Sequence, residues 1–92
     1  MPRKERVIEV IDGDTFRTNK RKNPVRLANV DAPEKGRPGS VEAKNKLRQL
    51  IEGKEVTIKT VARDKYGRSI ANVKIGNKSV NEIMREKLKK KK

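Results

Sequence analysis

Apolar side chains recur at alternate positions in several short stretches of this chain and at helical spacing in two others, so its elements can be read before any chemistry is considered. Alternation and β-branching predict strands at about Val7–Asp12, Asp14–Thr18, Val25–Val30, Glu55–Val61 and Ser69–Ile75, separated by turn-forming residues at DGD, KRKNP and DKYG. Between the third and fourth strands, SVEAKNKLRQLIEGK places Ala43, Leu47, Leu50 and Ile51 on one helical face, with Ser40 as the expected N-cap and Gly53 as the end. A second helix opens at SVNE, where Ser79 and Glu82 form a capping box and Val80, Ile83, Met84 and Leu88 an apolar stripe. The order βββαββα predicts a mainly-β α+β domain, a five-stranded barrel of the OB type with two helices. Fold class leaves function open.

Length and charge narrow the possibilities. The 92 residues suit one small domain over residues 1–88, followed by a basic tail at 89–92 that is expected to fray. The 26 Lys and Arg against 12 Asp and Glu give a formal charge of +14, which favours a polyanion such as nucleic acid or an anionic membrane surface. The stretch Arg85–Lys92 adds salt-sensitive attraction to such a partner. No apolar run approaches the ~20 residues of a membrane span, and MPRKERVIEV lacks the apolar segment of a signal peptide, so a cytoplasmic protein that does not enter membranes is expected, with a trimmed secreted form as the alternative. The chain has neither His nor Cys, which excludes a histidine base, Ser-His triads and thiolate metal sites. Any chemistry must use carboxylates, Arg, Lys, Tyr or a hard metal ion.

Three groups of residues stand out. In VIDGDTF an Asp-Gly step inside an apolar stretch reads first as a hairpin turn, because glycine takes positive φ freely. If the following hairpin turns near Lys22–Asn23, Asp14 falls opposite Asp31, and two facing carboxylates call for a compensating cation. Oxygen ligands alone point to Ca²⁺ or Mg²⁺. In VRLANVDAPE, Arg26 sits within an apolar strand and Glu34 follows Asp31 across Pro33, where a carboxylate beside a metal can orient or deprotonate water and a guanidinium can fork onto phosphate. In RDKYGRSIANV, the turn accounts for Asp64 and Gly67 but leaves Lys65, Tyr66 and Arg68 free to take phosphates or a base. Each feature alone also has a plain structural explanation in turns or surface charge.

The ordered set DGDTF, RLANVDAPE and DKYGRSIANV, followed by VNE at a helix start, resembles the staphylococcal nuclease (thermonuclease) family from about Val7 to Met84. That resemblance implies an OB-fold and Ca²⁺-dependent hydrolysis of DNA and RNA, with 3′-phosphate products. It implies one Ca²⁺, ahead of Mg²⁺ or Mn²⁺, held by Asp14, Asp31 and the backbone carbonyl of Ala32, where Ala replaces the family's Thr. It further implies Arg26 and Arg68 as phosphate clamps and Glu34 as the carboxylate that orients or deprotonates the attacking water. Lys65 and Tyr66 would contact a terminal phosphate, Ile70 would line the base pocket, and Asp12 would support the metal loop without touching the ion. The loop KGRPGS is shorter than in the secreted prototype, and the sequence stops before the family's third helix and its aromatic residues. With Phe16 and Tyr66 the only aromatic residues, weak base stacking and little sequence bias are expected, on a monomer that prefers single-stranded or frayed substrates.

An OB module that binds nucleic acid without cutting it is the alternative, and a basic structural protein a further one. Neither requires Asp14, Asp31 and Glu34 within a phosphate site, so the nuclease is preferred.

Overall fold

A computed structural model describes residues 4–33 and 35–88, so the tail at 89–92 and Glu34 lie outside the described residues. Among the described residues six strands and two helices follow one another as β1 (Lys4–Asp12), β2 (Thr15–Thr18), β3 (Val25–Leu27), α1 (Ser40–Ile51), β4 (Glu55–Arg63), β5 (Ser69–Ile75), β6 (Lys78–Ser79) and α2 (Val80–Leu88). Neighbours run in the order β3-β2-β1-β4-β5-β6, and a parallel pairing of β3 with β5 closes the first five strands into the OB barrel. β1 can pair on both sides because register irregularities at Val7/Glu9 and Val10/Asp12 bend it, Lys4–Arg6 going to β4 and the remainder to β2.

Val7, Val10, Phe16 and the alternating pairs Val25/Leu27, Val56/Ile58 and Ala71/Val73 fill the barrel, the register irregularity between Val7 and Glu9 turning Val7 and Val10 to the same side although they are three residues apart. Leu47 and Ile51 of α1 and Val80 and Met84 of α2 are fully buried against the same cluster, as the helical spacing predicts. Among the described residues no helix is long and apolar enough to cross a membrane.

Four local expectations need correction. The β2–β3 hairpin is centred between Lys20 and Arg21, because Thr15 pairs with Arg26 and Phe16 with Val25. Leu27, not Asp31, therefore lies opposite Asp14, and its N–H donates to the Asp14 carbonyl at 2.8 Å. The loop is anchored early: Asn19 N–H donates to Arg6 O at 3.0 Å, and Arg6 N–H to Asn19 Oδ1 at 3.1 Å. Pro24, with no N–H to donate, cannot extend the ladder from the other side.

Second, β3 stops at Leu27 rather than Val30, because the chain turns through Ala28 and Asn29, the latter at φ 60. Asparagine tolerates that left-handed conformation better than β-branched residues do. Third, Ser40 is the first residue of α1 and not its cap. Gly39 caps it at φ 86 with no side-chain bond, its carbonyl accepting from Ala43 N–H at 3.0 Å. Fourth, the two-residue strand β6 pairs with β5 just before α2, too short to show alternation. At α2 the Ser79 hydroxyl does accept from Glu82 N–H, at 3.2 Å.

Candidate active site

The turn between β1 and β2 presents Asp12 and Asp14. Asp14 N–H donates to Asp12 Oδ1 at 3.2 Å, the self-bonded turn that aspartate favours. Gly13 does not take the positive φ expected of it. A methyl group there would lie 2.6 Å from Ala43 Cβ and 2.7 Å from Ala32 Cβ, well inside the ~3.5–4.0 Å at which carbon atoms pack. Glycine is needed because the turn presses against α1 and against the segment that follows Asp31.

That close approach completes the surroundings of the Asp14 side chain, which is nearly shut off from water. Its Oδ1 accepts from the Thr15 hydroxyl at 2.9 Å, and its Oδ2 accepts from Ala32 N–H at 3.2 Å. Burial pushes the Asp14 carboxyl up from 3.8 to about 6, and the neighbouring Asp12 adds to the rise, while the bonds from Ala32 and Thr15 oppose it.

Arg26 bridges the two carboxylates that the hairpin register leaves apart. Its Nη2 is 3.4 Å from Asp14 Oδ2 and 3.3 Å from Asp31 Oδ1. The guanidinium also donates to Val30 O at 3.1 Å and Leu27 O at 3.3 Å, which fixes it over the turn that brings Asp31 back. The Asp31 side chain is fully exposed.

Asn81 holds that turn from below and is a residue that the sequence reading passed over. Only 2 % exposed, it donates from Nδ2 to Ala28 O at 2.9 Å and Ala71 O at 3.0 Å, and accepts from Val73 N–H at 2.8 Å. Its signal in the sequence was a polar residue set between the apolar positions Val80 and Met84 of α2.

The remaining candidates lie on the connection from β4 to β5. Asp64 Oδ1 accepts from Tyr66 N–H at 3.0 Å and Arg68 N–H at 2.9 Å, while Oδ2 takes the Arg68 Nε–H. Burial pushes the Asp64 carboxyl upward, but these bonds from Arg68 and Tyr66 outweigh it and hold the group below its ordinary 3.8. Gly67, at φ 85, permits the tight return. Asp64 thus sets the direction of Arg68, a role beyond the turn formation that the sequence suggested. The Tyr66 ring is exposed, with Lys65 Nζ 5.4 Å and Arg68 Cζ 5.7 Å from its centre.

Asp14, Arg26, Asp31 and Ala32 therefore touch one another, Lys65, Tyr66 and Arg68 form a second group, and the parallel ladder links them by setting Ile70 beside Arg26. Glu34 lies outside the described residues. No three His, Cys, Asp or Glu side chains converge among the described residues. The two carboxylates that flank one cationic nitrogen are oxygen donors of the kind a hard divalent ion takes.

A family model described as staphylococcal nuclease homologue matches residues 24–87, which include Arg26, Asp31 and Arg68 but not Asp12 or Asp14. An uncharacterised endonuclease of Escherichia coli O157:H7 is 37% identical over 70 residues, covering 74% of this chain and 46% of the relative. A micrococcal nuclease of Shigella flexneri is 36% identical over 69 residues, 73% of this chain and 40% of the relative. A staphylococcal-like nuclease of Arabidopsis thaliana is 33% identical over 63 residues, 68% of this chain and 20% of the relative. The matches span less than half of these relatives' own length.

Proposed function

Because the chain belongs to the staphylococcal nuclease homologue family, we propose that it is a Ca²⁺-dependent nuclease hydrolysing the phosphodiester bonds of DNA and RNA. The observation that carries this reading is the convergence of Asp14 and Asp31 on Arg26, with Ala32 bonded to Asp14, since a module that only binds phosphate has no use for carboxylates there.

In this reading Asp14, Asp31 and the Ala32 carbonyl hold the ion, and Asp12 steadies their loop through its bond to Asp14 N–H. Bound there, the ion would supply Lewis-acid charge to the phosphodiester. Arg26 and Arg68 bring two fixed guanidiniums to the same phosphate, where the in-line transition state gathers charge on the nonbridging oxygens. Asp64 fixes the direction of Arg68, so little reorganisation is left to the reaction itself. Glu34 orients or deprotonates the attacking water. Lys65 and Tyr66 take a flanking phosphate, Ile70 borders the base, and cleavage leaves a 3′-phosphate. A monomer acting on single-stranded or frayed strands in the cytoplasm completes the reading.

The test is degradation of single-stranded DNA by the purified protein with Ca²⁺, Mg²⁺ or EDTA, beside Arg68→Ala and Glu34→Ala. Cleavage that needs Ca²⁺ and collapses in both variants is expected. Salt-sensitive binding without cleavage, indifferent to EDTA and to both substitutions, would identify a binding module instead.

A further inference from the structure

Arg21, at the centre of the β2–β3 loop, reaches across strands that are far apart in sequence. Its Nε donates to both oxygens of the nearly buried Glu5, at 2.9 and 3.1 Å, and its Nη1 to Ser69 Oγ at 3.2 Å and Thr60 Oγ1 at 3.4 Å. Thr18 donates to the same Glu5 at 2.7 Å. The network ties the loop to β1, β4 and β5 at once and holds open a concavity of 230 Å³ lined by Arg21, Lys22, Asn23, Arg63 and Ser69.

Every described residue that lines this space carries a hydrogen-bond donor and none of them is a carboxylate. Glu5 offsets Arg21, but Lys22 and Arg63 form no ion pair among the described residues, which leaves two uncompensated charges at the rim. Arg63 and Ser69 are cross-strand partners and face the same way. The concavity adjoins the Lys65–Arg68 turn, for Arg63 and Ser69 flank that turn in sequence. A methyl on Gly67 would lie 3.2 Å from Asn23 Nδ2.

We propose that this concavity is an anion site that takes a backbone phosphate of a single-stranded nucleic acid, outside the cleavage site. Fixed donors and unpaired cations recognise a phosphodiester, and the absence of an apolar residue among the described lining disfavours a small apolar ligand. Its openness at the exposed Lys22 and Arg63 suits a polymer passing over the surface rather than an engulfed molecule. The assignment to nucleic acid rests on the nuclease reading, whereas the anion site rests on its own donors.

The experiment measures binding of fluorescein-labelled oligothymidylates of two and eight nucleotides to the full chain in EDTA across a salt series. The double variant Lys22→Gln/Arg63→Gln is compared with Lys54→Gln/Lys78→Gln, exposed residues outside the concavity that remove equal charge. The first pair is expected to weaken the octamer about tenfold near 0.1 M salt, to flatten the salt slope by about 0.7 per lost phosphate contact, and to leave the dinucleotide unchanged. Equal losses in the two pairs, or equal losses for both lengths, overturn the site. Cleavage of the octamer by the unmodified protein on adding Ca²⁺ reports separately on the nuclease reading, so either can fail alone.

Discussion

Asp14 Oδ2 lies 3.4 Å from Arg26 Nη2, yet even with that cation at hand burial lifts the Asp14 carboxyl to about 6. A carboxyl whose pKa is higher in the folded than in the unfolded chain stabilises the fold below its ordinary 3.8, and this contribution is lost as pH rises through about 6. Without divalent cations, Asp14→Asn is therefore expected to melt higher than the parent at pH 7, by on the order of 1–2 kcal/mol once solvent screening is allowed for. The difference should vanish or reverse near pH 4. Melting curves in EDTA across that range check it, and adding Ca²⁺ should stabilise the parent but not the variant.

Gly13→Ala places a methyl group against Ala32 and Ala43 where there is no room. Overpacking of this kind typically costs about 1–3 kcal/mol, and here it pushes Ala32 away from Asp14. Denaturant unfolding should show the loss, and Ca²⁺ titration by calorimetry should show weaker binding at a temperature where the variant is folded. Normal Ca²⁺ affinity would mean that the spacing of turn and loop is immaterial to the metal.

Arg68→Ala is expected to lower kcat by about 10²-fold or more with a smaller change in substrate binding, as for loss of a charge-stabilising donor. Asp64→Ala should lower kcat less. The double variant should be no worse than Arg68→Ala alone, because Asp64 acts through the Arg68 guanidinium that it holds. Additive losses in the kinetic cycle would give Asp64 a separate role.

Asn81→Ala leaves the Val73 N–H, the Ala28 carbonyl and a bond to the Ala71 carbonyl without their side-chain partner in a buried place. A loss of about 2–4 kcal/mol in urea unfolding is expected. Asn81→Asp should fare no better, since a buried carboxylate accepts from Val73 but cannot donate to the two carbonyls.

Much of this protein could be read from its sequence alone. Strand alternation at Ser69–Ile75, helical spacing at Ala43, Leu47 and Ile51, and the Ser79–Glu82 start all depend on neighbours within a few residues, and these elements stand where the pattern placed them, whereas the strand expected at Val7–Asp12 starts at Lys4 and its bulges break the alternation. The polar residues of the candidate site could be singled out because carboxylates and arginines inside apolar stretches conflict with burial. What they touch was not legible in the same way.

Only the tertiary structure decided the β2–β3 register, the reason for Gly13, the bridge of Arg26 between Asp14 and Asp31, the grip of Asp64 on Arg68 and the brace at Asn81. Periodicity says which face a residue occupies but not which distant residue lies against it. A hairpin drawn with a wrong centre still buries the same apolar face if it slips by an even number of positions, as Asp14 shows by facing Leu27 instead of Asp31. The choice is made by loop anchors such as Asn19 and Arg21 and by the left-handed turn at Asn29, contacts that exist only once the barrel has closed.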